Sequence, residues 1–266
     1  MKNYGKLSVG LIAGWFIFAL SASALDLFKN DSNRVGVGVA LAALAPIVVF
    51  SMWFATSKKF RQFVLCLNPR ILTLAQSWRI FGFTFVLLQA RGVLPAIFAL
   101  PAGYGDMAIG ATATLVALKL ANPSHRNLFI LWQVLGIADL VLAVSLGTTA
   151  RLLSPHGPSM VTMTVLPLSL VPTFLVPLFL IFHGICITQA KAWEAASGDS
   201  GQQQERLQHI RNLMSHDQGI SSQGVEPRQK LHEPISIGGL PHRFSVFCEK
   251  DGVTGSLVHS RDEDHF

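Results

Sequence analysis

The sequence predicts an all-α membrane protein: six transmembrane helices, an interfacial helix after the second, and a disordered C-terminal tail. Three observations carry this. Half of the 266 residues are hydrophobic and only 14% are charged, against about 25% charged in an ordinary soluble domain. The mean hydropathy is +0.44. The apolar residues fall in continuous runs of roughly 20, enough to cross a hydrocarbon core of about 30 Å. Barrel strands need shorter, alternating runs. Backbone in lipid must satisfy its own hydrogen bonds, so continuous runs become helices.

Charge divides the chain. Residues 1–187 hold 13 Lys+Arg against 4 Asp, whereas residues 188–266 hold 8 Lys+Arg against 11 Asp+Glu. The first segment reads as the six-span domain and the second as a cytoplasmic tail. The net charge of +6 therefore averages two unlike segments, and nucleic-acid binding does not follow from it.

The first span is expected at residues 8–28. Lys2 and Lys6 before the apolar run, with Ala22-Ser23-Ala24 after it, also fit a cleavable secretory signal. Hydrophobicity continues through Leu25, Leu27 and Phe28, which favours an uncleaved span. The second span is expected at 35–55. After it, Phe60, Phe63, Val64 and Leu67 share one helical face while Lys58, Lys59, Arg61 and Gln62 cover the rest. This reads as a helix lying on an anionic headgroup layer, stopped by Asn68-Pro69.

The third and fourth spans are expected at 80–100 and 102–121. Pro95 should kink the third. Gly103 and Gly105 suit a tight turn, which leaves Asp106 in the first turn of the fourth, where its charge suits the helix dipole. The fifth span, 127–147, sets Trp132, Gly136, Asp139 and Ala143 on one face. The sixth, 163–187, carries Pro167, Pro172 and Pro177 and should bend.

Lys2 and Lys6, then Lys58, Lys59, Arg61, Arg70 and Arg79, then Lys119 and Arg126 fall on one side of these spans. Lys29, Arg34 and Arg151 fall on the other. The positive-inside rule places both termini in the cytoplasm. Gly, Ser, Pro and His without periodicity make the tail a disordered segment.

Ionisable groups at membrane depth are costly and are the default candidates for function. Arg91, Asp106 and Asp139, with Gln89 beside them, are expected to converge in the outer half of the bilayer, given a rise of about 1.5 Å per residue. Arg91 and Asp106 could pair across the hairpin. His183 is expected near the cytoplasmic end, away from this cluster. As a lone histidine inside a span it is a weak haem ligand, since a membrane haem wants axial ligands on facing helices. The other histidines are scattered, and no CxxC pair appears, so no metal site and no cofactor are expected. Walker A, G-x-S-x-G and H-E-x-x-H elements do not occur, which argues against an enzyme.

Two functions stay open. One is a small transporter or lipid- or ion-handling module using Arg91, Asp106 and Asp139. The other is a scaffold or accessory protein whose buried charges hold its helices together. The lipid bilayer is the expected partner, with a second copy of the chain compatible with the small-residue helix faces.

The chain also resembles a group of uncharacterised bacterial integral membrane proteins. The likeness rests on Gln76-Ser-Trp78-Arg79-Ile-Phe-Gly82, on Leu94-Pro95 with Phe98-Ala-Leu-Pro101-Ala-Gly103-Tyr-Gly105-Asp106, and on Pro172-Thr-Phe-Leu-Val-Pro177 with His183. It covers residues 68–187. It implies a multi-helix protein of the bacterial inner membrane and assigns no activity and no site residue.

Overall fold

A computed structural model describes residues 2–29, 37–153, 158–193 and 208. The chain divides into two compact units, Met1–Asp217 and Gln218–Phe266, and every described residue belongs to the first. The predicted disordered tail lies outside the described residues, apart from its first few positions and Gln208.

The described residues are helical, with no strand among them. Seven helices follow in order: α1 (Lys2–Ala24), α2 (Val37–Thr56), α3 (Lys58–Leu65), α4 (Pro69–Ala90), α5 (Ala96–Leu115), α6 (Arg126–Leu153) and α7 (Val171–Trp193). Five of them, α1, α2, α4, α6 and α7, are long and apolar enough to cross a membrane. α5 continues as a π-turn, Val116–Leu120, and so has the length. It carries Tyr104, Asp106, three glycines and two threonines, and is less apolar.

Three helix starts, those of α4, α5 and α7, differ from the expected ones in ways that matter for the site. α3 ends at Leu65, before the expected stop at Asn68-Pro69, and Asn68-Pro69 instead begins α4. The Asn68 side chain accepts a hydrogen bond from the Arg70 N–H at 2.9 Å, and Pro69 occupies the first helical position, where its missing N–H costs nothing. The third long helix therefore runs from Pro69 to Ala90, about ten residues earlier than the apolar window at 80–100. It ends in a turn through Gly92, whose φ of +69° suits glycine. Pro95 does not kink this helix. It caps the next one, so α5 starts at Ala96 with Pro101 inside it. Asp106 stands about ten residues in, not in the first turn.

The last helix also starts late. Residues 165–169 are irregular, and α7 opens with a π-turn, Val171–Leu175, that takes up Pro172. Pro167 lies outside the helix, and Pro177 is buried within it.

α3 forms as the sequence indicates. Its apolar face is covered by protein: Phe60 stacks on Trp53 at a centroid distance of 4.0 Å, and Phe63 stacks on Tyr4. Gln189 of α7 donates through Nε2 to the carbonyls of Val64, Leu65 and Leu67. The Leu65 carbonyl ends α3 and the Leu67 carbonyl lies just beyond it, where a helix C-terminus leaves acceptors open, while the Val64 carbonyl also accepts from the Leu67 N–H at 3.2 Å. α1 rests on α7 through Trp15, which donates to the Thr173 carbonyl at 3.2 Å and packs edge-on against Phe174.

Candidate functional site

The centre of α4 is a 3₁₀ segment, Gln76–Gly82, between two α-helical stretches. A 3₁₀ helix has 3.0 residues per turn, so residues three apart eclipse. Thr73, Gln76, Arg79 and Gly82 thus form one row, and all four are buried. Trp78, Ile80, Phe81 and Phe83 cover the outer sides. The row faces α5, α6 and α7.

Arg79 is the hub. Its Nε donates to Asp106 Oδ1 at 2.7 Å, and its Nη2 donates to Asp139 Oδ2. Its Nη1 donates to the Gly136 carbonyl at 3.3 Å and reaches His183 Nε2, also at 3.3 Å. One guanidinium therefore ties together α4, α5, α6 and α7. A guanidinium has five N–H donors and no acceptor, and four of the five are engaged here.

That asymmetry orients everything beyond it. Because Arg79 can only donate, His183 Nε2 must accept, so the imidazole proton sits on Nδ1. His183 Nδ1 then donates to Gln133 Oε1 at 2.5 Å. The Gln133 amide donates through Nε2 to Thr73 Oγ1 at 3.2 Å. The Thr73 hydroxyl is left to donate to Cys186 Sγ at 3.9 Å, and the thiol reaches the Pro69 carbonyl at 3.9 Å. The donors run in one direction from Arg79 to Pro69, the arrangement in which bonds polarise one another. Trp132 closes the side, its indole bonded to Thr112 and its ring tilted on His183 at 5.7 Å.

Glycines make room for three of the polar members, Asp106, Asp139 and His183. A β-carbon on Gly82 would collide with Asp106, one on Gly105 with the Asp139 carboxylate, and one on Gly136 with the His183 ring. On Gly110 it would strike the α4 backbone at Ile80. Gly103, Asp106, Gly110 and Ala113 recur at three- and four-residue spacing on α5, the face that small residues let approach closely.

The structure brings together Asp106 and Asp139, as expected, but through Arg79. Arg91 does not pair with Asp106: it caps the C-terminus of α4 and is exposed. Gln89 is half-buried beside that end, one residue before the last of α4, and takes no part in the network. His183, expected apart from the cluster, lies inside it. Because α7 begins at Val171 rather than near residue 163, His183 falls mid-helix. It is fully buried, and both ring nitrogens are bonded within the protein, so neither has a lone pair for an axial haem ligand. Among the described residues no group of three His, Cys, Asp or Glu is placed to hold a metal ion.

Arg79, Gln133 and Thr73 were missed by reading apolar windows. The usable signals were Asn68-Pro69 as a start and the polar residues spaced by three at 73, 76 and 79.

Residues 34–190 match the family model described as a domain of unknown function, DUF8737. The chain belongs to that family. The matched region contains every residue of the network. No curated protein and no solved structure matches the chain.

Proposed function

We propose that this is a six-span protein of the bacterial inner membrane, with both termini cytoplasmic, and that its buried cluster takes up and releases one positive charge. It would serve as a small ion-handling module, with the proton as the simplest cargo. One observation carries the reading: among the described residues two carboxylates share a single guanidinium, and the other ionisable side chain bonded to that guanidinium, His183, is held in a neutral tautomer. The site is one positive charge short of balance. An unbalanced charge in a low-dielectric interior is expensive, so a proton or small cation completes the site.

Exposure fits this division of labour. The side chain of Arg79 is 1% exposed, whereas those of Asp106 and Asp139 are 16% and 13% exposed. The cation is fixed, and the carboxylates retain an open edge. With Arg79 now inside a helix, Lys2, Lys6, Lys58, Lys59, Arg61, Arg70, Lys119 and Arg126 still outnumber Lys29, Arg34, Arg91 and Arg151, which supports the same orientation. The lower apolarity of α5 suits a helix shielded by neighbours, and the Lys58, Lys59 and Arg61 charges of α3 support an interfacial position for it.

The test is proton uptake by vesicles containing the purified full-length chain and a trapped pH-sensitive dye. Under an inward proton gradient the wild type acidifies the lumen, and Asp139→Asn does so at least about tenfold more slowly while remaining monodisperse. Equal rates for wild type, Asp139→Asn and empty vesicles would sink the reading. The scaffold reading has its own support in the four engaged donors of Arg79, and it predicts that equality.

A further inference from the structure

We infer that His183 is the positioning residue of this site, the acceptor that holds Arg79 between Asp106 and Asp139 and so sets how tightly the carboxylates keep a proton. The inference rests on the ion-handling reading above.

The argument starts from the direction of the hydrogen bonds. Arg79 Nη1 needs acceptors, and it has two, the Gly136 carbonyl and His183 Nε2. The carbonyl is backbone and cannot change. His183 Nε2 accepts only while the proton stays on Nδ1, and Gln133 Oε1 holds it there. Gln133 is in turn oriented by Thr73. The chain therefore fixes one tautomer, and the tautomer fixes Arg79. The ring has no room to turn away, since Gly136 presses against its Cε1 edge and Trp132 lies across it. A second proton on His183 would set two donors face to face, and Arg79 would lose its hold.

The charged and titratable groups around the ring are few. Arg79 of α4 faces it directly, and Asp106 of α5 and Asp139 of α6 lie beyond that guanidinium. Cys186 of its own helix closes the far end of the chain. α2 has no ionisable side chain, and those of α1 are confined to its first turns. Among the described residues, the other acceptors on Arg79 are the two carboxylates and the Gly136 carbonyl, so His183 is the one neutral side chain that orients it.

The test compares His183→Ala, His183→Gln and Gln133→Leu in the same vesicle assay, over a range of external pH. Glutamine offers Arg79 an acceptor and Gln133 a donor, so His183→Gln should track the wild type. His183→Ala should lower the half-saturating proton concentration about tenfold, because carboxylates less well neutralised hold a proton more tightly, with the maximal rate within about twofold when fully loaded. Gln133→Leu leaves the imidazole in place but frees its tautomer, and should shift the same quantity in the same direction. It keeps the test decisive if His183→Ala does not fold. In ¹⁵N-histidine spectra of the full chain, the signal lost in His183→Gln should show a proton on Nδ1 alone.

An unchanged half-saturating concentration in both His183→Ala and Gln133→Leu, beside an active wild type, overturns the inference and leaves the ion-handling reading intact. So does a His183 signal protonated at Nε2. A wild type indistinguishable from empty vesicles overturns the reading itself, and the inference with it.

Discussion

α2 and α4 are nearly the same length, 20 and 22 residues, and α2 is the more apolar. Yet α2 buries no residue completely, whereas more than a quarter of the best apolar window of α4 is buried. In a soluble protein the ranking would run the other way. The difference lies in what each helix offers its neighbours. α2 offers alkyl side chains, which lipid solvates as well as protein does, so on the proposed bilayer placement nothing draws it inward. α4 offers a row of hydrogen-bonding groups and meets glycines on α5. Polar groups need partners, and small residues let the partners come close.

The comparison can be broken at several points. The largest effect should come from Arg79→Ala, which leaves two partly buried carboxylates without a counter-charge. Removing one partner of a buried pair costs about 3–5 kcal/mol, so the purified variant should lose most of its monodisperse fraction on size exclusion. Adding Asp106→Asn and Asp139→Asn to it should recover much of that fraction. Full recovery of the single variant would mean that the network does not hold α4 in place.

Packing should come next. Gly110→Ala drives a methyl into the α4 backbone, and overpacking of this kind costs about 1–3 kcal/mol. Thermal denaturation in detergent should show a clear drop in midpoint. Gly10→Ala in α1 is the matched control, since nothing lies within 4 Å of a β-carbon there, and its midpoint should not fall. If both behave alike, close approach is not what distinguishes α4.

Gln133→Leu should cost about 1–3 kcal/mol by leaving buried partners unsatisfied. Its signature is local: a cysteine reagent small enough to enter the core should modify Cys186 faster than in the wild type. Arg91→Ala should have the smallest effect, within about 0.5 kcal/mol, as for an exposed position without a specific contact. A large loss of folded protein on Arg91→Ala would return that residue to the centre of the site.

Part of this was legible beforehand. Asp106 and Asp139 stood out because few acids occur before residue 188, and both lie in the network. The choice of arginine failed for a physical reason. A hydropathy window slides freely along a run that is apolar on both sides, so it could not tell a helix at 69–90 from one at 80–100. A shift of about three turns exchanged Arg79 for Arg91 at the middle of the helix. The late start of α7 did the same to His183. In both cases the caps and prolines carry the signal: Asn68-Pro69 starts a helix, and Pro167 precedes one rather than lying within it.

By itself the sequence determined that the chain makes long apolar helices, where the charge lies, and which acids lack an obvious surface role. Those properties follow from composition and local periodicity, which need no knowledge of neighbours. Tertiary structure decided which arginine the acids share, that His183 joins them, and which tautomer it adopts. A buried charge chooses its partner by distance and by the direction of its donors, and neither exists until α4, α5, α6 and α7 have packed together.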